Sequence, residues 1–199
     1  MSIEQEAGRL VLVRHGETEW SRDGRHTGVT DLPLTAKGEA DAGGLAARLA
    51  PFDLGLVLSS DLRRARRTAA LAGLHPEVDT DLREWDYGGY EGRTTAQIRA
   101  ELGHPWDVFV DGVVPGDTPG ETVEEVAARA SRVIARALPV LEARDVCLVA
   151  HGHLLRVLAT VWLRQEPRMG GQLMLDAGSL SVLSRYRETP CVVTWNAAG

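Results

Sequence analysis

Three short segments, far apart in the chain, each place reactive polar side chains directly behind an apolar run. They are Arg14-His15-Gly16-Glu17, Ser59-Ser60-Asp61 leading into Arg63-Arg64, and Ala150-His151-Gly152-His153. Histidine is a competent nucleophile toward phosphorus: a neutral imidazole attacks, and the phosphohistidine is later hydrolysed. The equatorial oxygens of a phosphoryl group in transfer gather negative charge, which arginine or protonated histidine stabilises. Two histidines and at least two arginines in one place therefore describe an anion site with a nucleophile. The leaving alkoxide also needs an acid. Glu84, in Arg83-Glu84-Trp85-Asp86-Tyr87-Gly88, has aromatic neighbours that could keep a carboxyl partly buried and protonated. That role predicts a rate that falls with rising pH as the carboxyl ionises.

For these segments to meet, the strands before them must end at one edge. Residues 9–14, 54–59 and 145–150 read as buried strands, with further strands at about 76–82, 179–184 and 191–195. Helices are expected over 35–50, 61–71 and about 153–163. The clearest runs over 122–138, where Val123, Val126, Ala127, Ala130, Val133, Ile134, Ala137 and Leu138 form one stripe. Thr122 and Glu125 make a capping box at its start. Strands alternating with helices predict an α/β fold, three layers α/β/α around a mostly parallel sheet. Ligands of open parallel sheets bind at the carboxyl ends of the strands, where all three segments fall. The Gly-, Trp- and Pro-rich stretch 85–120, with short helices near 94–102 and 105–110, predicts a cap-like insertion. No repeat or linker divides the chain, so residues 1–199 read as one domain.

Composition narrows the classes further. A chain of 199 residues, 44% hydrophobic and 25% charged, has ample material for a core. No apolar run approaches the roughly 20 residues of a membrane span, and residues 1–8 lack the basic and apolar blocks of a leader. The net charge of -6 argues against a nucleic-acid partner. Cys147 and Cys191 form neither a CxxC nor a disulfide framework, which fits a reducing, cytoplasmic setting. Of the 22 basic residues, only Lys37 is lysine; arginine offers a planar fork for phosphate and carboxylate oxygens. A coding bias produces the same skew, so position decides its meaning.

Other phosphoryl chemistries lack their residues. Cys147 is followed six positions later by His153, not by the arginine a cysteine phosphatase needs, and there is no P-loop. His151-Gly152-His153 resembles a metal pair, but the Asp-x-His and Gly-Asn-His segments of binuclear metallophosphoesterases are missing. No metal and no cofactor is expected.

Four motifs in order carry a resemblance. Val13-Arg14-His15-Gly16-Glu17-Thr18 resembles the signature of the histidine phosphatase superfamily, which includes the cofactor-dependent phosphoglycerate mutases. Residues 60–69 resemble its second motif, Ser-x-Leu-x-Arg-Ala-x-x-Thr-Ala. Glu84 with Tyr87-Gly88 resembles the third, and Ala150-His151-Gly152 the fourth. The likeness spans residues 9 to about 184. It implies that His15 is the phosphorylated nucleophile and Glu84 the proton donor and later base. Arg14, Arg64 and His151, with Gly152, would hold the phosphoryl oxygens. Ser21, Thr27 and Gly28 fall in the loop that completes the phosphate pocket, with Ser21 where family members often carry asparagine. Tyr87, His26 and His153 would border the substrate.

Family mutases typically read Glu-Arg-His-Tyr-Gly at the third motif, whereas this chain has Trp85 and Asp86 in the middle. Between Trp85 and Glu121 only Arg93 and Arg99 are basic, against acidic residues at 86, 91, 101, 107, 111 and 117. The expectation is therefore a phosphatase for a small phosphorylated metabolite, most like the sugar-bisphosphate and acid phosphatases. Mutase-type transfer and a non-catalytic phospho-ligand module stand as alternatives. Trp85, Tyr90, Trp106 and Phe109 fit either a homodimer face or a pocket wall. His75, His104 and the Arg66-Arg67 pair read as solvated.

Overall fold

The computed structural model describes residues 8–198; the stretch read above for a leader lies outside them but for Gly8. In chain order the elements are β1 (Leu10–Arg14), α1 (Glu19–Arg22), α2 (Ala36–Leu49), β2 (Leu54–Ser59), α3 (Arg63–Leu71) and β3 (Glu77–Val78). Then follow α4 (Thr95–Leu102), α5 (Val108–Asp111), α6 (Val123–Ala137), β4 (Asp145–Ala150), α7 (Gly152–Trp162), β5 (Leu180–Tyr186) and β6 (Thr189–Ala197). The strands form one sheet in the order β3-β2-β4-β1-β5-β6. It is parallel from β3 to β1, and β5 runs antiparallel to both its neighbours.

The unbroken apolar runs of β1 and β4 follow from burial on both faces. Leu10, Leu12, Val146 and Leu148 turn toward one cluster, shared with α6 and α7. Val11, Val13, Cys147 and Val149 turn toward the other, shared with Leu45 and Leu49 of α2 and Ala65 and Ala69 of α3. Alternation along two central strands thus produces the three layers. Register does the rest: Arg14 pairs with Ala150 and Ser59 with Val149, so β1, β2 and β4 end level. His15, Ser60 and His151 leave the sheet along one edge.

Several expectations shift. The strand anticipated over 76–82 is only Glu77–Val78, because the Asp79 side chain accepts from the Asp81 N–H and turns the chain into a 3-10 turn over Thr80–Leu82. The helix placed at 105–110 begins at Val108, where Asp107 caps it. The short α1, closed by a Thr18–Ser21 capping box, has no counterpart in the sequence reading. The stretch 85–120 sends its apolar side chains into the body of the fold. Trp85, Tyr90, Ile98, Trp106 and Phe109 are buried in the same cluster as α6 and α7. The rings of Trp85, Tyr90, Trp106 and Phe109 are interior. Among the described residues, no helix is long and apolar enough to cross a membrane.

Candidate active site

At the carboxyl edge of the sheet lies a cavity of about 250 Å³ walled by Arg14, His15, Glu84, Tyr87, His153 and Arg156. Ser21, His26, Thr27 and Gly152 border it too, while Arg64, His151 and Gly28 do not. A larger cleft of about 630 Å³, along α3 beside Arg63, Arg66 and Arg67, contains none of the candidate residues.

His15 is fixed from several sides. Its backbone N–H donates to Ala150 on β4, and its carbonyl accepts from Gly178. Gly16 next to it donates to Thr68 Oγ1 on α3, and any Cβ there would overlap the Gly38 carbonyl, so only glycine fits. The ring is 4% exposed. Burial, then the guanidinium charges of Arg64 and Arg14, hold its pKa well below the usual histidine value. The imidazole is therefore neutral at ordinary pH. Nδ1 sits 2.7 Å from the Gly16 carbonyl, which can only accept, so Nδ1 carries the proton and Nε2 bears the lone pair.

Behind it, His151 meets the His15 ring edge-on at 5.1 Å. Its Nδ1 accepts from Arg64 Nε at 3.1 Å, which places the proton on Nε2. Burial and the same arginines keep this ring neutral as well. His151 therefore offers a neutral N–H. Arg64 is fully buried, and its two terminal nitrogens donate to the carbonyls of Thr27, Gly28 and Thr30. It holds the 27–30 loop in place. Two buried donors flanking His15, His151 Nε2 and Arg14 Nε, have no hydrogen-bond partner among the described residues. Arg14 is otherwise held through Nη1 on the Leu175 carbonyl.

Glu84 closes the other side, 8% exposed. Its Oε1 accepts from the N–H groups of Trp85 at 3.0 Å and Leu154 at 2.8 Å, and Oε2 from His153 at 3.0 Å. His153 and Leu154 lie in the first turn of α7, a helix with no side-chain cap of its own. Glu84 therefore satisfies donors that a cap would otherwise serve, from nearly 70 residues away. Oε2, with one donor against two on Oε1, keeps the freer lone pair.

The loop that carries Glu84 is braced by Arg129 of α6. Arg129 donates to Glu121 through Nε at 2.7 Å and Nη2 at 2.8 Å, and to the carbonyls of Asp81, Arg83 and Glu84. Glu121 in turn accepts from the Asp86 N–H. Exchange of Arg129 for methionine should cost about 2–4 kcal/mol in a urea titration, because Glu121 and three carbonyls lose their partner together. It should also lower kcat more than it raises KM. An unchanged kcat would show that the brace does not position Glu84.

The remaining candidates are placed as follows. The Ser21 hydroxyl donates to the Thr18 carbonyl and accepts from the Thr18 N–H, so its proton is committed to the α1 capping box. Thr27 Oγ1 donates to the Arg25 carbonyl. Gly28 is set back from the cavity: its N–H is shared by both Glu91 oxygens, and a Cβ would overlap the Trp85 carbonyl. Its glycine thus permits close packing of two loops. Tyr87 Oη is hydrogen-bonded to His153 Nδ1, and the His26 ring packs against both. At His151 and His153 the Nδ1 atoms turn to Arg64 and Tyr87 respectively.

The family description of the histidine phosphatase superfamily (branch 1) matches residues 10–198. The chain belongs to that superfamily. An acid phosphatase of Mycobacterium tuberculosis is 41% identical over 87% of this chain and 85% of its own. Sedoheptulose 1,7-bisphosphatase of Saccharomyces cerevisiae is 38% identical over 77% and 67%. A probable phosphoglycerate mutase of Enterobacter sp. is 33% identical over 96% and 89%. A solved structure from Mycobacterium tuberculosis superposes with a TM-score of 0.89 at 36% identity, covering 96% of this chain and 98% of that one.

In this histidine phosphatase superfamily member, sequence reasoning missed Arg156, Arg25 and Thr95, all on the cavity wall. Arg156 was legible in principle. It lies three residues after His153 and four after Gly152, hence on the same face of α7.

Two buried histidines, His15 and His151, and two half-buried ones, His26 and His153, give the fold an acid sensitivity. Burial comes first among the causes that lower His15, His151 and His153 well below the usual value, and it lowers His26 to about 4. Above pH ~6.5 these rings are neutral in both folded and unfolded chains, and their contribution is complete. Below it the unfolded chain takes up protons that the folded one refuses, so stability falls with pH at about 1.4 kcal/mol per unit for each ring. The urea midpoint should therefore drop between pH 6.5 and 5. A flat midpoint across that window would mean that the rings accept protons in the folded state.

Proposed function

We propose that the protein is a phosphoric monoester hydrolase acting on small phosphomonoesters, sugar phosphates foremost, through a phosphohistidine at His15 and without a metal. The observation that carries this reading is the neutral, Nε2-free imidazole of His15, with unpartnered donors on Arg14 and His151 beside it and a carboxyl across the cavity. Nε2 would attack phosphorus, while the phosphoryl oxygens take up the Arg14 and His151 N–H groups. The bond to the ester oxygen breaks, and Glu84 delivers the proton that this oxygen needs to leave as alcohol. Water then attacks the phosphohistidine, with Glu84 removing its proton, and inorganic phosphate departs from regenerated His15.

Hydrolysis is favoured over transfer by the third motif. Trp85 is fully buried with its indole N–H on the Glu121 carbonyl, and Asp86 accepts from Gly88 and Thr118. Neither offers a cation to the cavity. The relatives named as acid phosphatase and sugar bisphosphatase support the same reading.

The test is phosphate release from a panel of sugar phosphates, phosphoglycerates and p-nitrophenyl phosphate in excess chelator. Release that survives chelation is expected. Label that passes from one phosphoglycerate to another without reaching water would replace hydrolysis by mutase transfer.

A further inference from the structure

The 27–30 loop is gripped by two charged side chains. Arg64 takes its carbonyls: Nη2 donates to Thr27 at 3.1 Å and Gly28 at 2.9 Å, and Nη1 to Thr30 at 2.8 Å. Glu91 takes its N–H groups. Both carboxylate oxygens accept from Gly28, at 3.0 and 2.9 Å, and Oε1 also accepts from Thr30 at 3.0 Å. Glu91 is itself pinned through the backbone. Its N–H donates to the Gly88 carbonyl, the Gly92 N–H to His26 at 2.8 Å, and the His26 N–H to the Arg93 carbonyl at 2.9 Å.

The Thr27 carbonyl and the Gly28 N–H belong to one peptide group, and in a trans peptide they point opposite ways. That single peptide joins the Glu91 carboxylate to the Arg64 guanidinium. An anion on the N–H polarises the peptide and makes its carbonyl a better acceptor for the cation. Burial works against the Arg64 charge, and the carboxylates of Glu84, Asp31 and Glu91 offset it. A guanidinium is planar, so carbonyls that fix Nη1 and Nη2 also fix the direction of Nε–H. That Nε–H donates to His151 Nδ1 at 3.1 Å and reserves Nε2 for the proton. If Arg64 tilted, Nδ1 would lose its donor, and a ring protonated there would turn a lone pair from Nε2 toward the phosphoryl oxygens.

We propose that Glu91 is a positioning residue: through the 27–28 peptide and the plane of Arg64 it keeps the His151 Nε2 proton aimed beside His15. Its effect on turnover rests on the phosphatase reading, whereas its effect on the tautomer does not.

Two measurements test it. In enzyme carrying nitrogen-labelled histidine, NMR shifts distinguish a ring nitrogen with a proton from one with a lone pair, and His151→Ala assigns the His151 signals. The resting wild type should show Nε2 protonated and Nδ1 free. Glu91→Ala should show the other tautomer or an average of the two. The second measurement is phosphate release from p-nitrophenyl phosphate. Glu91→Ala should lower kcat by about 10- to 100-fold, less than the roughly 10²–10³ of deleting an oxyanion donor outright, with KM within about threefold. In the His151→Ala background the same change should cost no more than about twofold, because its route to the site is gone. Glu91→Gln keeps an oxygen for Gly28 and Thr30 but loses the charge. It should lose about three- to tenfold in kcat, and it carries the same cycle where Glu91→Ala does not fold. Slackening of the loop alone would instead raise KM, since His26 and Thr27 border the cavity. A raised KM with unchanged kcat, a full loss in the His151→Ala background, or an unmoved His151 tautomer would each overturn the proposal and leave Glu91 as a loop anchor. A wild type that releases no phosphate would sink the phosphatase reading, while the tautomer still decides the role of Glu91.

Discussion

Replacing His15 with alanine should lower phosphate release by roughly four orders of magnitude or more. The size follows from the role: a nucleophile that forms the covalent intermediate has no substitute in the cavity, whereas a residue that only helps hold phosphate costs far less when removed. The other rings on the wall are poor replacements. His153 Nδ1 is bound to Tyr87, and His26 Nε2 lies 3.3 Å from Thr95 Oγ1. Retention of a tenth of the activity would end the covalent mechanism. A second readout separates mechanism from damage. Wild-type protein quenched during turnover of labelled substrate should carry phosphate that is labile to acid and stable to base, and the variant should carry none. The fold should survive, because the His15 side chain makes one hydrogen bond, to the adjacent Gly16 carbonyl. Its loss should even lessen the acid sensitivity, since one ring that resists protonation is gone.

The parts of this site visible in the sequence are those set by local rules. β1 and β4 are covered on both faces, so their apolar runs are unbroken, and the polar residues after them stand out as strand ends. The capping box of α6 is likewise local, with Glu125 N–H donating to Thr122 Oγ1 at 3.2 Å. What could not be read depends on partners distant in sequence. Arg129 resembles any exposed helix arginine until Glu121 and the loop at 81–84 come to rest against it. That Arg64, a phosphate ligand by motif, gives four of its five N–H groups to His151 and the 27–30 loop could not be read either. The charge state of His151 is set by burial and by two guanidinium groups brought in from β1 and α3. The aromatic residues at 85–109 were legible as unusual but not as interior. Burial of a short, irregular segment has no periodicity to announce it.

Glu84→Gln should split the two half-reactions. With an alkyl leaving group such as a sugar oxygen, loss of the proton donor should slow phosphohistidine formation by about 10²- to 10⁴-fold. With p-nitrophenyl phosphate the leaving phenolate needs no proton, so formation should be slowed much less. Hydrolysis of the intermediate, which uses Glu84 as base, should then limit turnover. The expected result is a burst of nitrophenol equal to the enzyme, followed by a slow steady rate, and no burst with a sugar phosphate. The substitution also disturbs the helix start. If the amide oxygen takes the Oε1 position it can accept from Trp85 and Leu154, but the NH₂ group then faces the His153 N–H. That opposed donor pair should cost about 1–3 kcal/mol, visible as a lower urea midpoint and separable from the kinetics because folded enzyme is counted by the burst itself. Equal slowing of both substrates with no burst would remove Glu84 from the acid role and leave it as the cap of α7.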